Sequence, residues 1–134
     1  MNIFFDVDHT LITWDYRLRP SVREVFARLC ADGHTIYLWS GRGRRWEVVH
    51  RFRLERYVAG CFDKPLYDHA ARLQELGIDV YPDFVVDDHP EPVVVFGGYQ
   101  IPEPREPLEA DDEMWRVYEA ICRYLSGRAG PATA

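Results

Sequence analysis

Apolar positions along the chain fall into short runs, each stopped by polar or turn-forming residues. Ile3, Phe4, Phe5 and Val7 form a near-continuous run that predicts a short strand buried on both faces, with Asp6 and Asp8 at its C-terminal end. Val22, Val25, Phe26, Leu29 and Cys30 recur at helical spacing, so Pro20 to Asp32 reads as a helix with Pro in its first turn and Gly33 as its stop. His34 to Trp39 is β-branched and aromatic and predicts a second strand, ended by Ser40-Gly-Arg-Gly43. A weaker stripe over Trp46, Val48, Val49 and Phe52 predicts a helix from Arg44 to about Tyr57.

Further along, Cys61 to Leu66 reads as an extended loop, because Pro65 disfavours helix at Lys64. Asp68 is placed to cap a helix from His69 to Leu76, with Gly77 as its stop. Pro82 to Pro90 repeats the opening pattern, an apolar strand ending in acids, and Val93 to Phe96 reads as one more strand before Gly97 and Gly98. Met114, Val117, Tyr118, Ile121 and Leu125 stripe a last helix from about Asp111 to Leu125. Strands alternating with helices predict an α/β domain of three layers (α/β/α, Rossmann-like) on a mainly parallel sheet. One domain over residues 1–126 is expected, with 127–134 as a frayed tail.

Composition narrows the class. The formal charge of −6 disfavours a general nucleic-acid or anionic-membrane surface, although arginines 42, 44, 45, 51, 53 and 56 make one basic region. Three widely spaced cysteines without a Cys-x-x-Cys read as reduced thiols, which favours the cytoplasm. No apolar run approaches membrane-spanning length, and Asp6 and Asp8 interrupt the place where a signal peptide needs its apolar core.

The chemistry is concentrated where the strands end. Asp6 and Asp8, two residues apart in an extended segment, can face one small volume with the Thr10 hydroxyl behind them, and two like charges there call for a cation or a shared proton. Ser40, in a Gly-containing turn between strand and helix, sits in a layout that offers a hydroxyl and backbone N–H groups to an anion, and Arg42 beside it is the arginine best placed to reach an anionic substrate. The loop from Leu11 to Arg19 reads as a loop or tight hairpin, with Trp14, Tyr16 and Arg17 as further candidates for substrate contact.

Asp6-Val-Asp8-His-Thr10, Ser40 after the second strand, Lys64-Pro65, and Asp87-Asp88 after a later strand resemble, in order, the four motifs of the haloacid dehalogenase (HAD) superfamily. The resemblance covers about residues 2–96 and implies a small HAD-like phosphatase with no cap domain, since the gaps between motifs are too short to insert one. It implies that Asp6 is the nucleophile of a phosphomonoester hydrolase and forms an aspartyl-phosphate. Asp8 is then the general acid and base, and Thr10, Ser40 and Lys64 hold the phosphoryl group. Lys64 also neutralises charge on Asp6. Mg²⁺ would be held by Asp6, Asp8 through its backbone carbonyl, and Asp87, with Asp88 touching it directly or through water and Glu91 a weaker candidate. His9 and His89 lie near this site but have no metal-binding spacing.

A capless enzyme of this kind takes bulky or macromolecular phosphorylated substrates, or closes its site with a second copy in a homo-oligomer. Arg-Pro before the first helix and Val-Asp-Asp-His-Pro resemble phosphoprotein phosphatases, whereas Ser-Gly-Arg resembles polynucleotide 3′-phosphatase domains. The polynucleotide alternative requires arginines after Ser40 on the rim of the site. The rival from outside enzymology is a non-catalytic domain that binds Mg²⁺ or a partner on the same fold.

Overall fold

The computed structural model describes residues 1–129. Its centre is a five-stranded, all-parallel sheet of β1 (Asn2–Asp6), β2 (Thr35–Ser40), β3 (Val58–Asp63), β4 (Phe84–Asp87) and β5 (Gly98–Gln100), in spatial order β3-β2-β1-β4-β5. Helices α1 (Val22–Ala31), α2 (Trp46–Arg51) and α4 (Glu113–Ala129) pack on one face and α3 (Pro90–Phe96) on the other, giving the three-layer, Rossmann-like arrangement that the sequence predicts. No cap domain is present among the described residues, and no helix among them is long and apolar enough to cross a membrane.

Strand alternation divides the core in two. Ile3 and Phe5 of β1, Ile36 and Leu38 of β2 and Phe84 and Val86 of β4 face α1, α2 and α4. Phe4, Trp39 and Val85 face the other way, against Phe96 of α3 and Leu73 and Ile78 of the 66–80 segment. All these side chains are fully or nearly fully buried, which is why the strands read as unbroken apolar runs. The chain order reverses between β1 and β4: β2 and β3 are laid down to one side of β1, β4 and β5 to the other. That switch point opens a crevice beyond the carboxyl ends of the strands, where Asp6 and Asp87 stand on neighbouring strands.

Several elements depart from the sequence pattern, each for a physical reason. Val93 to Phe96 is not a strand but the second half of α3, with Pro90 in its first turn and Pro92 and Phe96 buried one turn apart. A strand starting six residues after Asp87 could not return to pair in parallel; α3 is the crossover that lets β5 do so. Gly98 opens β5 because a Cβ there would lie 1.8 Å from the Val85 carbonyl oxygen.

The expected helix over His69 to Leu76 is instead a run of turns, with single i→i+4 bonds from Arg72 N–H to Asp68 and from Leu76 N–H to Arg72. Asp68 sits at φ 46 rather than in the extended backbone of an N-cap. The segment is held by Leu73 and Ile78 buried against the sheet. Helix α2 stops at Arg51, well short of Tyr57, because the chain reverses through Arg53 at φ 56 and buries Leu54. The residues after the reversal form β3, which takes in part of what reads as a loop in the sequence. Its register against β2 slips between Ile36 and Tyr37, so its alternation is broken and the strand is hidden from pattern analysis. Helix α4 continues through Ala129, three residues into the expected tail; residues 130–134 lie outside the described residues.

Candidate functional site

Each predicted site residue lies at or just beyond the C-terminal end of a parallel strand, and one set of contacts joins them. Lys64 follows β3 directly, and its backbone N–H donates to the Ser40 carbonyl at 2.9 Å, fastening the loop to the end of β2. Its ammonium then donates to Asp6 Oδ1 and to Asp87 Oδ2, 3.1 Å to each. The Thr10 hydroxyl donates to the other Asp6 oxygen at 3.2 Å, and the His89 backbone N–H donates to Asp87 Oδ1 at 3.0 Å. Asp6, Asp87 and Lys64 are all nearly or fully closed to solvent.

The charges in this cluster do not balance. Asp6, Asp87 and the neighbouring Asp88 bring three carboxyls to a single ammonium. Burial and the Asp87 charge push the Asp6 carboxyl up to about 8, with Lys64 pulling against them and Asp88 adding to the rise. Burial also raises Asp87, Lys64 opposing it. Burial works against the charge on Lys64, yet the two aspartates outweigh it and hold the amine above its ordinary value. Asp88 Oδ1 is buried and makes no hydrogen bond, although His89 Nδ1 lies 3.3 Å away. Asp87, Asp88 and His89 together present three ligand atoms within 4.8 Å of one another, a spacing that suits a metal ion. A surplus of oxygen donors, one of them unpartnered, fits a hard divalent cation.

Asp8 is not beside Asp6 by strand alternation. Strand β1 ends at Asp6, and the N–H groups of Thr10 and Leu11 both turn back to the Val7 carbonyl. The Asp8 carboxylate is directed to Ser40, whose hydroxyl donates to Oδ2 at 3.5 Å, to the guanidinium of Arg45, and to Arg42 Nη1, 3.7 Å from Oδ1. Arg42 is largely exposed on the rim of the site, and its backbone N–H donates to the Ser40 hydroxyl oxygen at 3.1 Å.

Around this centre the surface is open. A cleft of about 280 Å³ leads to Lys64 between Leu66, His69, His89 and Glu91. Glu91 is an exposed wall of that cleft, and His9 pairs with Glu103 at 3.6 Å on the other side. The segment after Thr10 is a tight hairpin, with Ile12 bridged to Leu18, and it carries the largely exposed Trp14 along the wall of a second cleft of about 180 Å³.

Two buried arginines at the site are barely announced in the sequence. Arg45 reads as part of a solvated basic face, yet it is buried against Asp8. Arg19 is fully buried and donates to both oxygens of Asp111 at 2.9 Å, to the Thr10 carbonyl at 3.1 Å and to the Pro102 carbonyl at 2.6 Å. It ties the loop after β1 to the start of α4. The one available hint was an acid-rich turn before α4 that an arginine could seek. Comparison of the chain with family models and with curated proteins finds no match.

Proposed function

We propose that the chain is a Mg²⁺-dependent phosphomonoester hydrolase of the HAD type, working through an aspartyl-phosphate on Asp6. The observation that supports this reading most is Lys64 bridging Asp6 and Asp87 at the switch point of the sheet, with a carboxyl surplus around it. A mere structural ion cluster would need matched charges; this one has two carboxyls more than it has ammonium groups and a buried oxygen that makes no hydrogen bond among the described residues. Asp6, the backbone carbonyl of Asp8, Asp87 and Asp88 are the residues that would hold the metal. When bound, Mg²⁺ supplies the positive charge that lets a phosphate dianion approach a carboxylate nucleophile.

In this reading Lys64 fixes one Asp6 oxygen and Thr10 the other, so the carboxylate meets phosphorus in one orientation. Asp6 attacks, the bond from phosphorus to the leaving oxygen breaks, and Asp8 gives that oxygen a proton. Asp8, now ionised, takes a proton from the water that cleaves the aspartyl-phosphate, which releases inorganic phosphate and restores Asp6. Ser40 and the N–H groups of its turn, with Lys64, hold the phosphoryl oxygens as charge shifts. Arg42 reaches the substrate from the rim.

The test is hydrolysis of an aryl phosphate with and without Mg²⁺, beside Asp6→Asn. Turnover should require the metal and fall by at least about 10³-fold in the variant. A folded wild type no faster than Asp6→Asn on aryl, sugar, peptide and nucleotide phosphates would remove the hydrolase reading and leave a binding domain.

The exposed position of Arg42 beside the site, followed by the exposed Arg44, with Trp14 in solvent, favours as a second reading a phosphatase of polynucleotide ends. Steep loss of affinity for a 3′-phosphorylated oligonucleotide with added salt would support it, and no binding at low salt would dismiss it.

A further inference from the structure

The reaction outlined above uses Asp8 in both steps, and a carboxyl in a loop beyond the end of a strand needs something to aim it. Arg45 is built to do that. It stands at the start of α2 with its side chain only 4% exposed, and all three guanidinium nitrogens are committed. Nη1 donates to Asp8 Oδ2, Nη2 to the Tyr16 hydroxyl oxygen at 2.6 Å, and Nε to Glu47 Oε2 at 2.6 Å. Its Cζ also lies 5.8 Å from the centre of the Tyr16 ring, and Arg51 approaches the same ring at 5.5 Å. Tyr16 comes from the hairpin after β1, held at φ 61 with its N–H donating to the Thr13 carbonyl. The brace therefore joins three segments: the Asp8 turn, the hairpin, and α2.

The consequence for Asp8 is an asymmetry between its two oxygens. Oδ2 receives both Arg45 and the Ser40 hydroxyl, whereas Oδ1, among the described residues, makes no hydrogen bond and pairs with Arg42 alone, at 3.7 Å. A carboxyl pinned through one oxygen has its other oxygen fixed in direction as well. We propose that Arg45, braced by Tyr16, is the positioning residue that presents Asp8 Oδ1 to the leaving oxygen, and so adapts the site to phosphomonoesters of alcohols, which leave poorly. This rests on the phosphatase reading of the site.

The chemistry sets the test. When the phosphorus–oxygen bond breaks, its electron pair stays on the leaving oxygen. An alkoxide is too basic to depart without the proton from Asp8, whereas a nitrophenolate departs without it. Disturbing the aim of Asp8 therefore harms alkyl esters far more than activated aryl esters. The quantity to compare is kcat/KM, which covers the steps up to departure of the leaving group and is untouched by the later hydrolysis of the aspartyl-phosphate.

With β-glycerophosphate and p-nitrophenyl phosphate as the pair, Arg45→Met should lose about 100-fold on the first and less than about 5-fold on the second. Tyr16→Phe, which keeps the ring and deletes one hydrogen bond, should shift the ratio in the same direction by about 5-fold. Arg45→Lys should restore part of the difference, since it keeps the charge and loses the fork. Equal losses on both esters, or no loss in either folded variant, would overturn the proposal; Tyr16→Phe decides if Arg45→Met does not fold. A wild type inert toward both esters with Mg²⁺ present would overturn the phosphatase reading, and with it this one, before any variant is compared.

Discussion

Two buried ionic clusters lie on either side of the loop after β1, and they are built to opposite rules. In one, Arg19 meets Asp111 with one charge of each sign, and the donors left over go to the carbonyls of Thr10 and Pro102. In the other, Lys64 faces Asp6 and Asp87, Asp88 lies beside them, the Asp6 carboxyl is driven up to about 8, and Asp88 Oδ1 makes no hydrogen bond among the described residues. A neutral, fully bonded pair is a structural tie. An unbalanced one holds electrostatic strain that a cation or a proton relieves. Two buried cation–carboxylate clusters thus differ in the count of their charges rather than in their burial.

The sharpest way to break the comparison is to neutralise one acid in each cluster. Asp111→Asn leaves Arg19 charged and buried, and should lower stability by about 3–5 kcal/mol in a denaturant titration. Asp6→Asn removes a like charge and should leave the metal-free protein at least as stable as wild type. Loss of stability in both would mean that the two clusters do not differ in kind.

Adding a divalent cation should come next in size. Mg²⁺ at about 100 times its dissociation constant should stabilise the wild type by about 2.7 kcal/mol, measured as a rise in Tm, and Asp87→Asn should lose most of that rise. An equal shift in both proteins would place the ion elsewhere.

Protons should act in the same sense, more weakly. Asp6 has a folded pKa near 8 against an ordinary value of 3.8, so between those values the folded state binds more protons than the unfolded one. Stability of the metal-free protein should therefore fall as pH rises from about 4 to 8, and Asp87, also raised, adds to the fall. A Tm lower by about 3 °C or more at pH 8 than at pH 5.5, flattened by saturating Mg²⁺, is the expected result. A Tm that rises over this range without metal would contradict the charge imbalance.

The parts of this molecule that were legible in sequence are those where one local rule acts alone. Strands β1, β2 and β4 are buried on both faces, so their apolar runs announce them, and the acids and serine that end them mark the working edge of the sheet. Lys64 could be placed because Pro65 restricts it. Val93 to Phe96 misled because β-branched residues favour strands, while the need for a crossover before β5 made them helical. Strand β3 was hidden by its slipped register. Arg45 and Arg19 were invisible because an arginine is buried only when distant acids come to meet it, and those partners are 37 and 92 residues away.

That last separation bears on how the chain is made. Arg19 emerges early in synthesis, but its partner Asp111, just before α4, follows 92 residues later, a delay of about 5–20 s at ordinary rates of elongation. Throughout that interval the loop that carries Asp8 and Thr10 lacks its anchor, and for the first part of it, until Phe84–Asp87 is made, β1 also lacks β4 at its side. The nascent protein therefore cannot complete the carboxyl edge of its sheet piecemeal: the loop that carries Asp8 and Thr10 is tied down only once the segment before α4 has been made.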